Sequence, residues 1–295
     1  MGAPPPTITD LLSKSANWLK DKGTTTPRLD AELLLAEVLG TDRVGLYVNF
    51  EQPLMKAEVD RYRELIRRRG EGEPIAYIIG YAYFRNLTLA VDRSVLIPRP
   101  ETEHLVEAAI DFLMEGDWAE PPTVLDLGTG SGAIAISIAA SFPEADITAS
   151  DARAESLETA RENARTAGVA ARIDFVRSDI FDDLDPVATF NLIVSNPPYI
   201  SEAEWETLPR DVRDFEPREA LYGGADGLDY YRLLAGQAPQ FLKPRGALML
   251  EVGSTQAPAV SALLESGGSF GRAGVIQDYS GHDRVVMARR LIVIA

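Results

Sequence analysis

The chain has 295 residues, of which 45% are hydrophobic and 25% charged, a composition typical of a globular protein with about two domains. It has no cysteine and only two histidines, which excludes disulfides, thiolate-bound zinc, a cysteine nucleophile and a multi-histidine metal centre. Residues 1–80 hold 11 basic and 12 acidic side chains, a net of −1, so the remainder carries −15 of the total −16. Such an acidic part would repel nucleic-acid phosphates, and we expect no direct nucleic-acid binding.

The start of the chain, residues 1–6, is rich in proline and lacks the basic and apolar regions of a secretory signal. No apolar stretch approaches the ~20 residues that a membrane-spanning helix needs. These features predict a cytoplasmic protein without a membrane partner.

Three amphipathic patterns follow, and they predict helices over 7–21, 29–39 and 55–69. Together they indicate a small helical bundle as an N-terminal domain over 1–73. The basic cluster 67–69 at the end of the third helix is interpreted as a solvated helix end, with nucleic-acid contact as the alternative. Two β-rich runs, 76–84 and 87–91, then predict a hairpin within a linker over 74–95.

The segment 96–103 reads Leu-Ile-Pro-Arg-Pro-Glu-Thr-Glu. Pro100 is predicted at the first position of a helix, with Glu101 and Glu103 in its first turn. Either this segment is only a rigid entry to the next domain, or Arg99 or Glu101 faces a cleft. The sequence leaves both readings open.

From there strands and helices alternate. The predicted strands are 124–127, 147–150, 173–176, 192–195 and 246–252, and the predicted helices between the first three are 132–140 and 154–167. This alternation favours an α/β fold, a doubly wound, Rossmann-like and mostly parallel sheet over 96–295. The runs 275–277 and 284–288 are joined by a short loop, so they must be antiparallel if they pair with each other.

A glycine-rich turn lies where the first of these strands leads into the first helix. It comprises Gly128, Thr129, Gly130, Ser131 and Gly132, which we interpret as a cofactor-binding turn because glycine lets the backbone approach a ligand. The spacing fits NAD as well as S-adenosylmethionine, so the pattern alone does not choose between them.

Two aspartates follow the next strands. Asp151 is suited to accept hydrogen bonds from ribose hydroxyls, or it caps a helix. Asp179 with Ile180 could hold the amine and one face of an adenine, or Asp179 only caps a loop. Both are expected at the edge of the sheet where open α/β folds bind ligands.

The fourth strand ends in Asn196, Pro197, Pro198 and Tyr199. Neither proline has an N–H, so this corner offers carbonyl groups and one carboxamide beside an aromatic ring. Such a corner suits a planar group that donates hydrogen bonds, such as an amide or an exocyclic amine. The alternative without a functional role is a strand that ends because prolines follow it. No hydride-acceptor pocket or metal cluster is recognisable, and methyl transfer fits best.

The chain resembles the protein-(glutamine-N5) methyltransferases of the PrmC/HemK type over nearly its whole length. The resemblance is carried by the segments 96–103, 126–132, 196–199, 215–218, 223–228 and 281–286. It departs from some related enzymes at Ile180, where an aromatic residue can stand, and this weakens a stacking role there.

The resemblance implies transfer of a methyl group from S-adenosylmethionine, released as S-adenosylhomocysteine, to the Gly-Gly-Gln glutamine of class I peptide chain release factors, with no metal. It also implies that the N-terminal domain docks the release factor. Asn196, Pro197 and Tyr199 are the expected catalytic residues, and Asn196 also borders the cofactor. Pro198, Arg99 and Glu101 join these three residues as expected substrate contacts. The alternatives are an adenine-N6 methyltransferase acting on DNA or RNA, and a cofactor-binding module without catalysis.

Overall fold

A computed structural model describes residues 4–292, so residues 1–3 of the proline-rich start lie outside the described residues. The chain forms two compact units. The helical unit comprises Met1–Gly80 and Pro209–Phe215, and the sheet unit comprises Tyr81–Leu208 and Glu216–Ala295. The domain limits expected from the sequence, 1–73, 74–95 and 96–295, stay a prediction.

The helical unit consists of short helices around one apolar core. Its helices are α1 (Ile8–Asp21), α2 (Pro27–Leu39), α3 (Arg43–Val48), α4 (Lys56–Gly70), α5 (Ile75–Ile79) and α10 (Arg210–Phe215). Thr7 caps α1 by accepting a hydrogen bond from Asp10 N at 3.2 Å. Fully buried leucines from α1 and α2 surround Tyr62, whose hydroxyl donates to Ala31 O at 3.1 Å.

Two expectations for this unit are wrong. Residues 75–79 form a helix rather than a strand, because Pro74 precedes it, Gly80 ends it in a left-handed conformation, and Tyr77 and Ile78 pack inward. The end of α4 is not wholly solvated either. Arg69 is buried, and its Nε donates to Asp30 Oδ2 at 2.6 Å. Asp211 of α10 lies 3.7 Å from the same guanidinium group.

The sheet unit begins with an antiparallel hairpin and continues as a seven-stranded sheet. The hairpin strands are β1 (Tyr81–Phe84) and β2 (Leu87–Ala90), and the sheet strands are β3 (Thr123–Leu127), β4 (Asp146–Asp151), β5 (Ile173–Arg177), β6 (Phe190–Ser195), β7 (Leu242–Glu251), β8 (Gly274–Gln277) and β9 (Asp283–Arg289). The order across the sheet is β5-β4-β3-β6-β7-β9-β8. The strands β3 to β7 are parallel, whereas β9 is antiparallel to both β7 and β8. The predicted fold class is therefore confirmed.

Helices cover both faces of this sheet. They are α6 (Thr102–Glu115), α7 (Ala133–Ser141), α8 (Ala154–Thr166), α11 (Asp229–Phe241) and α12 (Ala257–Ser266). The short helix α9 (Glu202–Trp205) follows β6 in the chain and buries no residue. Alternate residues of each strand enter separate cores: Val124 packs with α6 and α7, whereas Leu125 packs with α11 and α12. Helix α6 begins at Thr102, so the expectation that Pro100 opens it is wrong; Pro100 lies in the turn before the helix.

The pairing of the central strands aligns their carboxyl-terminal ends with one another. Leu127 of β3 pairs with Ser150 of β4 on one side and with Ser195 of β6 on the other. The residues that directly follow these strands therefore meet at one edge of the sheet. No helix within residues 4–292 is both long enough and apolar enough to cross a membrane.

Candidate active site

An open cleft with a cavity volume of about 180 Å³ lies at this edge of the sheet unit. It brings together eight of the residues singled out in the sequence. They are Gly128, Gly130, Asp151, Asp179, Ile180, Asn196, Pro197 and Pro198. The remaining candidates, Thr129, Ser131, Gly132, Tyr199, Arg99 and Glu101, do not line it.

The glycine-rich turn exposes its backbone to the cleft at two positions. Gly128 and Gly130 have φ angles of +74° and +55°, and a Cβ on either would meet no atom within 4 Å. The space above them is open, so a ligand can come close to the main chain. Gly130 N donates to Asp151 Oδ2 at 3.0 Å, which ties the turn to the end of β4.

The other residues of the turn contact the protein itself. Thr129 Oγ1 donates to Asp126 Oδ2 at 2.6 Å, and Ser131 O accepts from Asn163 Nδ2 at 2.8 Å. Gly132 has a φ of +83°, which favours glycine, and a Cβ there would also lie 3.3 Å from Ala160 Cα. These contacts shape the turn, and the expected cofactor contacts of the three residues stay predictions.

Asp126 anchors the turn from below. Its Oδ2 also accepts from Ala135 N at 3.0 Å, while Oδ1 is buried without a partner among the described residues. Burial raises the pKa of Asp126 to about 7. This carboxyl therefore serves the geometry of the turn and lies outside the lining of the cleft.

Carboxylates and an apolar side chain border the cleft beside the turn. Asp151 lines the cleft, and its Oδ1 accepts from Arg153 N at 3.0 Å. Arg153 is itself the N-cap of α8, which has no side-chain capping bond, so the capping alternative for Asp151 is wrong. Asp179 is exposed, and Ile180 adopts a φ of +53°. A left-handed conformation is an outlier for a β-branched residue, and Ser178 Oγ supports it by donating to Ile180 O at 3.0 Å.

Together these groups fit an adenosine-containing cofactor. The open turn can receive its charged end, Asp151 retains lone pairs for ribose hydroxyls, and Asp179 with Ile180 offers an acceptor and an apolar surface for adenine. Among residues 4–292, no group of three or more His, Asp or Glu side chains is arranged to hold a metal ion.

The polar corner follows β6 and closes the other end of the cleft. Pro197 is buried, and Asn196 and Pro198 are partly exposed. The Tyr199 ring packs against the core below, and burial raises the pKa of its hydroxyl well above the ordinary value. Its backbone carbonyl accepts from Gln256 Nε2 at 2.9 Å, which ties the corner to the start of α12.

Two buried residues behind Asn196 were missed in the sequence. Asn196 Nδ2 donates to Thr102 Oγ1 at 3.1 Å. Ser195 of β6 pairs with Leu250 of β7, so Glu251 at the end of β7 follows beside Asn196. Burial raises the pKa of Glu251 to about 7, although Thr102 and Asn196 oppose the rise. The sequence did offer a signal for Glu251, because this charged residue directly follows the uncharged strand residues 246–250.

Arg99 and Glu101 are engaged beside the cleft. Arg99 Nη2 donates to the buried carboxylate of Glu216, whose Oε2 also accepts from Ile97 N at 3.2 Å. Glu101 is 4.0 Å from Arg284 Nη2 and remains partly exposed. Contact of either residue with a substrate stays a prediction.

A second glycine-rich segment, 223–227, braces the corner from outside. A Cβ on Gly223 would lie 2.6 Å from Pro198 O, and one on Gly227 would lie 2.4 Å from Tyr199 O. Gly223 N also donates to Ile200 O at 2.9 Å. This close packing explains why glycine is needed here.

Comparison with known proteins places the chain among methyltransferases. The PrmC N-terminal domain matches residues 10–80, and the methyltransferase small domain matches residues 107–209. A release factor glutamine methyltransferase of Rhodopirellula baltica is 42% identical over 287 residues, covering 97% of each chain. One of Chlorobaculum tepidum is 44% identical, covering 94% of this chain and 95% of the relative. A Pyrococcus furiosus methyltransferase structure shares the fold, with a TM-score of 0.52 at 19% identity, covering 77% of this chain and 98% of that one.

Proposed function

The chain belongs to the release factor glutamine methyltransferase family, and from this we propose its reaction and its substrate. It transfers a methyl group from S-adenosylmethionine to N5, the side-chain amide nitrogen, of the glutamine in the Gly-Gly-Gln motif of class I peptide chain release factors. The observation that carries the proposal is the shared cleft, in which the Asn196 corner and the open glycine turn lie at one sheet edge.

The residues of the cofactor end would hold S-adenosylmethionine. The turn at Gly128 and Gly130 would receive its charged end, Asp151 would accept from its ribose, and Asp179 with Ile180 would contact its adenine. When bound, this cofactor supplies a methyl group on a positively charged sulfur and becomes S-adenosylhomocysteine. No residue of the chain needs to form a covalent bond or bind a metal for this transfer.

The corner would make the amide nitrogen reactive. An amide nitrogen is a poor nucleophile because its lone pair is delocalised into the carbonyl group. Asn196 Oδ1 and Pro197 O accept hydrogen bonds from its two N–H groups and so increase the electron density on nitrogen. Tyr199, whose ring packs against the core, would support the corner from below. Formation of the N–C bond would leave the C–S electron pair on sulfur, and the nitrogen would release one proton to water in the open cleft. Fixed acceptors and good alignment would supply the acceleration.

The experiment that tests this function uses two substrates side by side. The purified protein is incubated with S-adenosylmethionine and either a class I release factor or duplex DNA. We expect one methyl group on the Gly-Gly-Gln glutamine by peptide mass spectrometry, and none when that glutamine is replaced by alanine. N6-methyladenine in the DNA, without methylated release factor, would instead establish the alternative function. The net charge of −15 beyond residue 80 argues against that alternative.

The helical unit would dock the release factor, and the protein would act in the cytoplasm, where release factors work.

Val44 and Val48 of α3 share a helix face and are 68% and 72% exposed, and Phe50 beyond the helix is half exposed. Exposed apolar groups that lie together favour protein contact. Val48→Glu should raise KM for the folded release factor about tenfold but leave KM for a short Gly-Gly-Gln peptide unchanged. Val187→Glu, at an exposed valine of the sheet unit, is the control.

A further inference from the structure

The Asn196 carboxamide can perform the proposed task in only one of its two orientations. Its oxygen must face the cleft to accept from a substrate amide, because an NH2 group in that place would meet the substrate's own N–H donors. Local sequence does not decide this orientation, since Pro197 and Pro198 contribute no N–H that could hold the oxygen. The groups behind the side chain must decide it.

Those groups form a one-way chain of donors and acceptors. Asn196 Nδ2 donates to Thr102 Oγ1 at 3.1 Å, which leaves the Thr102 hydroxyl hydrogen free to donate in turn. Ser195 pairs with Leu250, so Asn196 and Glu251 follow side by side, and Thr102 and Asn196 both lower the pKa of the buried Glu251 carboxyl, as donors beside it would. A carboxyl accepts here whether or not it carries a proton, because at least one oxygen keeps free lone pairs.

The location of Glu251 indicates that its carboxyl serves Thr102 and Asn196 and not the cleft directly. Its side chain is 1% exposed, it lies outside the cleft lining, and its Oε2 has no partner among residues 4–292. The strand end is fixed independently, because Tyr231 Oη donates to Glu251 O at 2.8 Å. A buried carboxyl opposes folding unless its contacts offset the desolvation, so a stability role alone explains it poorly.

We propose that Glu251 and Thr102 are positioning residues that hold the Asn196 carboxamide with its NH2 group inward and its oxygen toward the substrate. The inference rests on the proposed function and adds residues to its machinery. Turning the carboxamide over would place its oxygen against the Thr102 hydroxyl and the Glu251 carboxyl and leave its NH2 group in the cleft. Neither residue touches the substrate; both act through Asn196.

The test compares variants that keep or remove the acceptor. Glu251→Gln retains one carbonyl oxygen and should stay within about threefold of wild-type kcat, whereas Glu251→Met should lower kcat about 10–100-fold, as loss of an outer orienting group does at other sites. Thr102→Val should lower kcat about tenfold, and Thr102→Ser should restore it. The dissociation constant of S-adenosylmethionine should not change. Thr123→Val, at the opposite edge of the sheet, is the matched control.

A double variant separates positioning from general stability. Because Glu251 acts through Asn196, Asn196→Ala with Glu251→Met should be no slower than Asn196→Ala alone, with rates taken per cofactor-binding site. Multiplicative losses would overturn the inference, as would wild-type kcat in Glu251→Met or equal losses in the two Thr102 variants. Should Glu251→Met fail to fold, the Thr102 pair decides. Absence of methyl transfer by the wild type would instead overturn the proposed function.

Discussion

The two ends of the cleft are built in different ways. At the cofactor end the main chain is uncovered, with open space above Gly128 and Gly130 and an exposed carboxylate at Asp179. At the Asn196 corner the residues behind the reacting surface, Thr102 and Glu251, are buried, and Gly223 leaves no room against Pro198 O. The cofactor end thus depends on backbone shape, and the corner depends on support from distant segments.

The two ends should therefore differ in how they tolerate substitutions. A cofactor recognised by several independent contacts loses affinity gradually when one contact is removed. A reacting group fixed by one network loses rate sharply when its geometry changes. Substitutions at the corner should therefore affect kcat, and substitutions at the cofactor end should affect the dissociation constant of S-adenosylmethionine.

The largest effect should follow Asn196→Ala. Loss of one preorganised acceptor should lower kcat about 10²–10³-fold, by analogy with an oxyanion-hole donor. Cofactor affinity should stay within about threefold of wild type, because other residues supply most of the cofactor contacts. Single-turnover methylation of a release factor and calorimetric titration of the cofactor measure the two quantities. Asn86→Ala, in the exposed hairpin turn, is the control. Methyl transfer by Asn196→Ala at near wild-type rate would show that the corner does not depend on the Asn196 carboxamide.

Gly223→Ala should come next. The new Cβ would meet Pro198 O at 2.6 Å and Tyr199 Cα at 2.8 Å, so the backbone of the corner must shift. A displacement of this size should lower kcat about 10–100-fold with little change in cofactor affinity. Gly236→Ala is a matched control, because a Cβ at this α11 position meets nothing within 4 Å. Equal kcat values for the two variants would show that the corner tolerates movement.

At the cofactor end, Asp151→Asn should raise the dissociation constant of S-adenosylmethionine about tenfold, the loss of part of one charged hydrogen bond. Asn still offers its oxygen to Gly130 N, so the turn should keep its shape, while its NH2 group loses the bond from Arg153 N. At saturating cofactor, kcat should be nearly unchanged. Fluorescence or calorimetric titration gives the affinity, and Asp174→Asn on exposed β5 is the control. A fall in kcat without loss of affinity would reverse the assignment of the two ends.

The smallest effect concerns stability and pH. Burial raises the pKa of Glu251 from 4.5 to about 7; Glu101 raises it further, whereas Thr102, Asn196 and Arg284 lower it. Between these pH values the folded protein holds a proton that the unfolded chain releases, so the free energy of unfolding falls as pH rises from about 4.5 to about 7. Glu251→Gln should remove this part of the fall, on the order of 1–3 kcal/mol. Urea denaturation at pH 5, 6, 7 and 8 measures it, and parallel curves for the two proteins would contradict it.

The sequence predicted the cofactor end better than the corner's support, for a physical reason. Strand alternation and a glycine-rich turn are local patterns, and parallel strands bring such turns to one edge, so the cleft and most of its lining followed. The partnership of Asn196 with Thr102 and Glu251 joins residues that only the register of β6 and β7 and the placement of α6 bring together. At residues 75–79 a local pattern misled instead. Their isoleucines favour a strand, but the ends of the segment and its packing make it a helix.

Helix α10 has a consequence for how the chain is made. The helical unit takes this piece from residues 209–215, and its Asp211 lies close to the buried Arg69 while the Phe215 ring lies against Gly72. A ribosome synthesises residues 81–208 before it reaches α10. The apolar core of the helical unit contains no α10 residue, so the amino-terminal helices can form it as they emerge. The contacts of Asp211 and Phe215 are added only after residues 81–208 have been made, and a fragment ending at residue 80 would keep the core but leave Arg69 without Asp211.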